Sequence, residues 1–434
     1  SEMCIRDSSI TDYGSFNQNT TLALSANEEI DVLACVGFPY ATGIQQGYLS
    51  DLEENDLIQT YGQGIIDAVG QENVDACRVN GVLYGLPSNR DIAQGRGCAA
   101  IATEYLDGIG YEANTDDEIV KISLDELNDI YAQLHEKYPD KEVYRPTTGS
   151  MSQFSNVDSL GGNVFGVLLD YGQNLDVVNL FESDFYKDYC ARLYDYNQKG
   201  YISADASTDT TAVGELVKAG TLMSYTTGGK PGIKAQETTL TGRDMTIFQT
   251  LDDYISSTSV ASMPWTIPIS AQHKEAAMKF LNECYTNADI ANLLAWGIEG
   301  THYKIGDDGL ATYADGVDAS NSGWNHSMGW MMPNQFLTHV WEGNDPDLWT
   351  EMKEFNTNAK VSKASGFSFD STNVANELTA VQNVYNEYQT SVEYGFVDPE
   401  TGIAEMNDKM MTAGLQKIID EKKAQLEAWQ EANK

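Results

Sequence analysis

The chain has 434 residues, 41% of them hydrophobic and 21% charged, which describes a globular protein too long for one ordinary core, so two or more lobes are expected. Its 65 acidic residues stand against 26 basic ones, and a net charge of -39 repels phosphate backbones and anionic headgroups, which argues against nucleic acid or polybasic membrane binding. Six cysteines (Cys4, Cys35, Cys77, Cys98, Cys190 and Cys284) form no Cys-x-x-Cys and no Cys/His cluster at metal spacing, so they read as buried free thiols, with no metal site and no cofactor.

Met3-Cys4-Ile5-Arg6-Asp7-Ser8 reads as one frame of a transposase adapter used in sequencing libraries. Residues 1 to 8 are therefore treated as a scar, and Cys4 as neither a lipid-anchor cysteine nor a pairing partner. Glu29 to Cys35 is a short apolar run ending at Gly37-Phe38-Pro39-Tyr40 and predicts a buried strand. Ligands in α/β folds sit beyond the carboxyl ends of such strands, so Phe38 and Tyr40 are either site aromatics or turn packing. Asn80-Gly81 between two β-prone runs predicts a hairpin, which leads into Gly85-Leu86-Pro87-Ser88-Asn89-Arg90-Asp91.

Ser123-Leu124-Asp125-Glu126 is a capping box that opens a helix carrying Leu127, Ile130 and Leu134, and Pro139 ends it. Val143 to Arg145 predicts a strand before the polar loop 147 to 150, and Phe181 to Tyr196 a helix. Gly220 to Pro231 predicts another strand, carrying Tyr225 and ending in a glycine-rich turn. This alternation predicts α/β lobes with mainly parallel sheets. Ala276, Ala277, Phe280, Leu281 and Cys284 predict one helical face, and Asp308-Gly309 a second hairpin. Helix-spaced stripes through Val374, Leu378, Val381, Tyr385 and Tyr388, and through Leu415, Ile418, Ile419, Leu426 and Trp429, read as packing faces. No run is long and apolar enough to span a bilayer.

Five of the seven tryptophans fall between Trp296 and Trp349, interleaved with small polar residues: Trp296-Gly297-Ile298-Glu299-Gly300-Thr301-His302-Tyr303, Trp324-Asn325-His326, Gly329-Trp330, Asn334-Gln335-Phe336 and Trp341 to Trp349. Flat aromatic faces beside amides, an imidazole and a carboxylate suit a sugar, with its apolar C–H face and rim of hydroxyls. Core packing is the alternative for about half of the five.

These runs resemble the extracellular solute-binding proteins of family 1, the receptor subunits of sugar-importing ABC transporters, and above all their lipoprotein LipO and LplA-like branch. That branch carries Gly-Ile-Glu-Gly-x-His-Tyr, Gly-Trp-Met-x-x-Asn-Gln-Phe and Trp-Glu-Gly-x-Asp-Pro-Asp-Leu-Trp in succession, here at residues 297 to 303, 329 to 336 and 341 to 349. Gly366 to Ser371, Val397-Asp398-Pro399-Glu400 and the terminal helix from Ala413 to Trp429 resemble its C-terminal domain. The resemblance implies an α/β fold of periplasmic-binding-protein type, two α/β lobes around a ligand cleft with a helical C-terminal extension. It implies a first lobe at 9 to 87 whose signal sequence, anchor cysteine and first strands precede this chain. A second lobe follows at 88 to 265, a return to the first at 266 to 315, and a cleft loop with a helical segment packed on the second lobe at 316 to 434. It further implies a monomer at the outer face of the membrane, lipid-anchored, taking an oligosaccharide to ABC permease subunits.

Enzyme signatures for zinc peptidases, nucleophile elbows and phosphate loops do not occur. Gly228-Gly229-Lys230 reads as a turn, and Asp307-Asp308-Gly309 lacks the other ligands of a calcium loop. Glu299 is the acid best placed for glycosidase chemistry, and a hydrogen-bonding role suits it better. His302 reads as a hydrogen-bonding or packing histidine. Arg90 offers planar donors to hydroxyl pairs or to an acidic sugar, while Arg96 reads as an ion-pair partner. The expected ligand-binding residues are thus Phe38, Tyr40, Ser88, Asn89, Arg90, Tyr225, Trp265, Glu299, His302, Trp324, Trp330 and Gln335, with no catalytic residue. Two rival readings are a secreted carbohydrate-active hydrolase and an oligopeptide receptor of the same fold.

Overall fold

A computed structural model describes residues 13–36, 38–111, 118–161, 163–318, 321–324 and 329–432. Residues 1 to 8, expected to be a scar, with Cys4 among them, and His326 lie outside the described residues. The chain divides into two compact units, unit 1 comprising residues 1–90 and 260–339 and unit 2 comprising 91–259 and 340–434.

Unit 1 is helical with small antiparallel ladders. Leu33–Ala34 pairs with Trp265–Thr266, and the two hairpins announced by Asn80-Gly81 and Asp308-Gly309 form as Arg78–Val79 with Val82–Leu83 and Tyr303–Ile305 with Ala311–Tyr313. Asn80 and Gly81 both take positive φ (52° and 81°), the backbone twist a two-residue hairpin needs. The core gathers Leu52, Ile58, Ile65, Cys77, Leu83, Leu86, Ile267, Met278, Leu281 and Tyr285. On the helix Lys274–Thr286 the buried face is Ala277, Met278, Leu281, Cys284 and Tyr285, while Phe280 is 42% exposed. The expected stripe is therefore rotated: Ala276 and Phe280, one turn apart, share the outer side, and Met278 and Tyr285 supply the volume instead.

Unit 2 is built on a seven-stranded mixed sheet. Its central strand, Gln94–Ala102, runs antiparallel to Leu222–Gly229, Met245–Gln249 and Asp253–Ile255. Only the outer pairs are parallel: Glu142–Arg145 with Leu222–Gly229, Val120–Lys121 with Met245–Gln249, and Lys360–Val361 with Asp253–Ile255. The expectation of mainly parallel sheets is corrected by this one long strand, whose direction reverses the pairing of every strand beside it. It reads Cys98-Ala99-Ala100-Ile101-Ala102 without exposure, as a strand covered on both faces must.

Helices cover that sheet. Leu124–Lys137 begins at the expected capping box, Ser123 Oγ accepting from the Glu126 amide and the Glu126 carboxylate accepting from the Ser123 amide, a device worth about 1 kcal/mol. Asp184–Gln198, Ala375–Glu393, Pro399–Ala413 and Leu415–Ala432 pack together. The two stripes read from the sequence supply Val381, Tyr385, Leu415, Ile418, Ile419 and Leu426 to the same core as the sheet. The C-terminal segment from residue 340 belongs to unit 2. Residues 316 to 339 do not: they belong to unit 1, and the chain crosses near 90, 260 and 340.

All five described cysteines are buried and free. Burial pushes the thiols of Cys35, Cys98 and Cys284 up to about 12, so they are inert neutral packing groups.

Candidate functional site

What fixes residues 329 to 339 to unit 1 is a set of bonds to their backbone. Asn89 N–H donates to the Pro333 carbonyl (2.8 Å) and the Gln335 N–H to the Asn89 carbonyl (3.0 Å), a short parallel bridge. Trp265 Nε1 donates to the Met331 carbonyl (3.1 Å), Trp296 Nε1 to His339 (3.1 Å), and Asn334 Nδ2 to Tyr285 (2.7 Å). Asn292 works in both directions, its Nδ2 donating to the Leu337 carbonyl (3.2 Å) and its Oδ1 accepting from the His339 amide (2.7 Å). Asn292 and Asn334 were not singled out from the sequence; a lone asparagine in a helix or loop carries no signal until its partner is known.

Two side chains on this fastened loop keep unspent polar groups. Gln335 is 7% exposed, and its Oε1 is buried without a hydrogen-bond partner among the described residues. Such an acceptor costs about 1–3 kcal/mol unless something bonds it. Beside it, a Cβ placed on Gly329 would stand 3.3 Å from Gln335 Cγ, so glycine there allows the loop to close over the amide. Trp330, next to Gly329, is half-buried, and its Nε1 makes no hydrogen bond with any described residue. Trp265 is joined to the same turn through Met331, and Ser88 Oγ makes a long 3.5 Å contact with the carbonyl of Met263, on the segment leading to Trp265. Arg90, the last residue before the first crossover, donates from Nη2 to Ser262 Oγ (2.8 Å), and Asn89 Nδ2 bonds the Ala68 carbonyl (3.1 Å). Ser88, Asn89, Arg90, Trp265, Trp330 and Gln335 therefore lie on one set of interlocked segments.

The remaining expected site residues fall elsewhere. Phe38 is 1% exposed and Tyr40 9%, both in a small core with Leu33 and Leu49, and Tyr40 Oη donates to the Cys77 carbonyl (2.7 Å). Tyr225 is 3% exposed inside the unit 2 sheet, its hydroxyl spent on the Glu237 carboxylate and its pKa pushed up by burial. Rings so enclosed have no face left for a ligand: Phe38 and Tyr40 take the packing alternative that the strand end leaves open, and Tyr225 lies within its strand. Trp324 donates Nε1 to the Leu294 carbonyl (3.1 Å), so it fastens a helix end. His302 Nδ1 accepts from the Ile298 amide (2.8 Å) and closes the turn that leaves Glu299 exposed.

Two further readings change. Lys230 pairs with Asp91 at 3.0 Å, and the strand continues through Gly228 and Gly229 where a turn was expected, because Gly229 packs directly on Gly95. Arg96, expected in an ion pair, makes none among the described residues. Asp308 caps its own hairpin at the Leu310 amide (3.1 Å), and no group of His, Cys, Asp and Glu suited to a metal ion occurs among the described residues.

Known proteins agree with this architecture. Residues 363–431 match the family model described as Domain of unknown function (DUF3502), over the stretch where a C-terminal domain was expected. A carbohydrate ABC transporter substrate-binding protein of Streptococcus pneumoniae is 25% identical over 430 residues, 95% of this chain and 82% of the relative. This chain is related to the substrate-binding proteins of carbohydrate ABC transporters. Its fold is that of the N-glycan transport solute-binding protein NgtS of the same organism, with a TM-score of 0.82 at 23% identity, covering 97% of this chain and 91% of that one. The NgtS complex with Man1GlcNAc gives a TM-score of 0.74 at 23% identity over 96% and 90%. A human-milk-oligosaccharide (HMO) binding solute-binding protein of Bifidobacterium longum infantis gives 0.63 at 16% identity over 96% and 91%. Among the described residues no helix is long and apolar enough to cross a membrane.

Proposed function

We propose that this solute-binding protein is the extracellular receptor subunit of an ABC importer, capturing an oligosaccharide and handing it unaltered to membrane permease subunits. The observation that carries the reading is the turn at 329 to 335: among the described residues the half-buried Trp330 indole makes no hydrogen bond through its N–H, and the buried amide oxygen of Gln335, five residues on, has no donor. A sugar supplies what both need, a C–H face for the ring and hydroxyls for the amide. Ser88, Asn89, Arg90 and Trp265 lie on the segments bonded to this turn. The relative's description as a carbohydrate ABC transporter substrate-binding protein, and the glycan complexes of NgtS, point the same way. A receptor of this kind works outside the membrane permeability barrier, and we place it there, lipid-anchored and monomeric.

The reading is tested by thermal melts and calorimetry against mannosyl glycans, milk-type oligosaccharides and peptides, with mass spectrometry of each mixture. Ligand at 100 times its Kd adds about 2.7 kcal/mol of stability. A glycan-dependent rise in Tm with the glycan recovered intact is expected. Shortened glycans would overturn the receptor reading in favour of a hydrolase, and a rise with peptides alone would overturn the substrate class.

A further inference from the structure

Unit 2 contains a cation whose surroundings do not account for it. Arg96 lies on the central strand at a bulge, where the register with Leu222–Gly229 shifts between Gly95 and Cys98 and Gly97 takes φ of 66°. Bulges re-aim side chains, and this one sends a guanidinium over the Tyr254 ring at 5.7 Å, with Nη1 donating to the Ser152 carbonyl at 2.9 Å. Of its five N–H donors, that is the one bond made among the described residues. Nε is buried and unbonded, whereas Nη2 is neither bonded nor enclosed. No carboxylate lies within ion-pair distance among the described residues, in a chain with 65 acidic residues.

The nearest buried acid, Asp158, is already occupied. Its oxygens accept from Tyr254 Oη (2.9 Å), the Ser257 amide (2.8 Å), Ser257 Oγ (2.6 Å) and the Leu160 amide (3.0 Å). It acts on Arg96 through space without bonding it.

The residue after Ser152 is the complement. Gln153, at the end of the short helix Ser150–Gln153, has a buried Oε1 with no partner among the described residues. One residue further on, the Phe154 ring carries a second guanidinium, Arg192, at 5.5 Å, and Arg192 also lies 5.3 Å from the Tyr189 ring without an ion pair among the described residues. Two guanidinium groups thus attach to residues 152 and 154, and the residue between them in the chain carries an acceptor unsatisfied among the described residues. Salt bridges elsewhere in the unit, such as Arg145 with Glu142 at 2.7 Å, show what an arginine does here when a carboxylate is supplied.

We propose that Arg96 and Gln153 form a recognition point for an acidic sugar residue, Arg96 taking the carboxylate and Gln153 a hydroxyl of the same ring; the inference rests on the glycan-receptor reading above. The Tyr254 ring and the Ser152 carbonyl fix the guanidinium plane, so its outer edge meets a carboxylate without reordering, and charge-assisted bonds of this kind are about twice as strong as neutral ones. A neutral sugar offers hydroxyls to the same donors and loses that increment.

The test uses the full chain and matched pairs: a sialylated complex-type glycan with its desialylated form, and an oligogalacturonate with its methyl ester, each titrated calorimetrically into wild type, R96Q and R96K. Far-ultraviolet circular dichroism and Tm establish that each variant is folded. The acidic member is expected to bind about tenfold or more tighter in wild type, R96Q to bring it to the neutral level, and R96K to keep only part of the preference. R96K decides the matter where R96Q does not fold. Equal affinity for both members, equal weakening of both by the variants, or binding confined to neutral mannosyl glycans would overturn the acidic-sugar assignment and leave the receptor reading standing. Binding to no glycan of any kind would overturn the receptor reading first, and this inference with it.

Discussion

Two buried polar side chains, Lys422 in unit 2 and Gln335 in unit 1, are held in opposite ways. Lys422 is 0% exposed and donates to three backbone carbonyls, Ser159 (2.8 Å), Asn163 (3.1 Å) and Gly166 (2.9 Å), with the Phe369 ring 5.3 Å away. Glu393 on a neighbouring helix is equally well supplied, accepting from Tyr186 (3.1 Å), Tyr385 (2.6 Å) and Gln389 (3.2 Å). Gln335 sits nearly as deep with its oxygen unbonded. Burial therefore does not separate structural from binding residues in this molecule; satisfaction does. A cradled lysine fastens the 159–166 segment to the last helix, whereas an amide left short of a donor is one that a ligand can complete.

The largest expected effect is on stability against pH. Burial holds Lys422 down to about 7 from its ordinary 10.5, so its contribution is present above about 10.5 and lost as pH falls through about 7, a span of about 5 kcal/mol. Burial raises Glu393 to about 7 from 4.5, so its contribution is present below about 4.5 and lost as pH rises through about 7, about 3 kcal/mol. Urea unfolding at pH 5, 7 and 9 should show the acid limb flattened in Glu393→Gln and the alkaline limb flattened in Lys422→Met. Unchanged limbs would mean that neither group has a different pKa in the folded and the unfolded chain.

Next, at fixed pH 8, where burial leaves the amine largely neutral with two N–H donors, Lys422→Met should cost about 2 kcal/mol, because two carbonyls lose their donor. A neutral or stabilising outcome would break the comparison, since the desolvation of the amine would then outweigh its cradle. Trp330→Ala should weaken glycan binding about tenfold with little change in Tm, from the loss of one stacking face. Gln335→Leu should also weaken binding while leaving the fold as stable as wild type or slightly more so, because an unpaired acceptor is removed; a loss of stability would instead mark Gln335 as a structural group. The smallest effect is expected at Glu299, where Glu→Gln should change glycan affinity less than about twofold if its role is confined to the exposed turn.

The legible parts of the fold were those fixed by short-range chemistry. The capping box at Ser123, the Asn80-Gly81 and Asp308-Gly309 hairpins and the stripes of the last helices all appear where spacing put them, because each is decided within about a dozen residues. The rotated face of Lys274–Thr286 was less legible, since Phe280 and Met278 are both apolar and only the neighbouring helices choose between them. Of the residues expected at the site, Trp330, Gln335, Asn89, Arg90 and Trp265 share one set of bonded segments. Phe38, Tyr40 and Tyr225 could not be separated from them, because the sequence gives an aromatic ring's identity and not its depth.

By itself, then, the sequence determined the local elements, the acidic surplus, the lack of cysteine clusters at metal spacing and, through the runs at 297 to 303, 329 to 336 and 341 to 349, the resemblance to solute-binding proteins. Only the tertiary structure decided that Gln94–Ala102 reverses the sheet around it, that residues 316 to 339 belong to unit 1, and that no carboxylate among the described residues pairs with Arg96. Those are outcomes of contacts between residues tens to hundreds of positions apart, and a donor is known to be spent or free only once every neighbour that could accept from it has been placed.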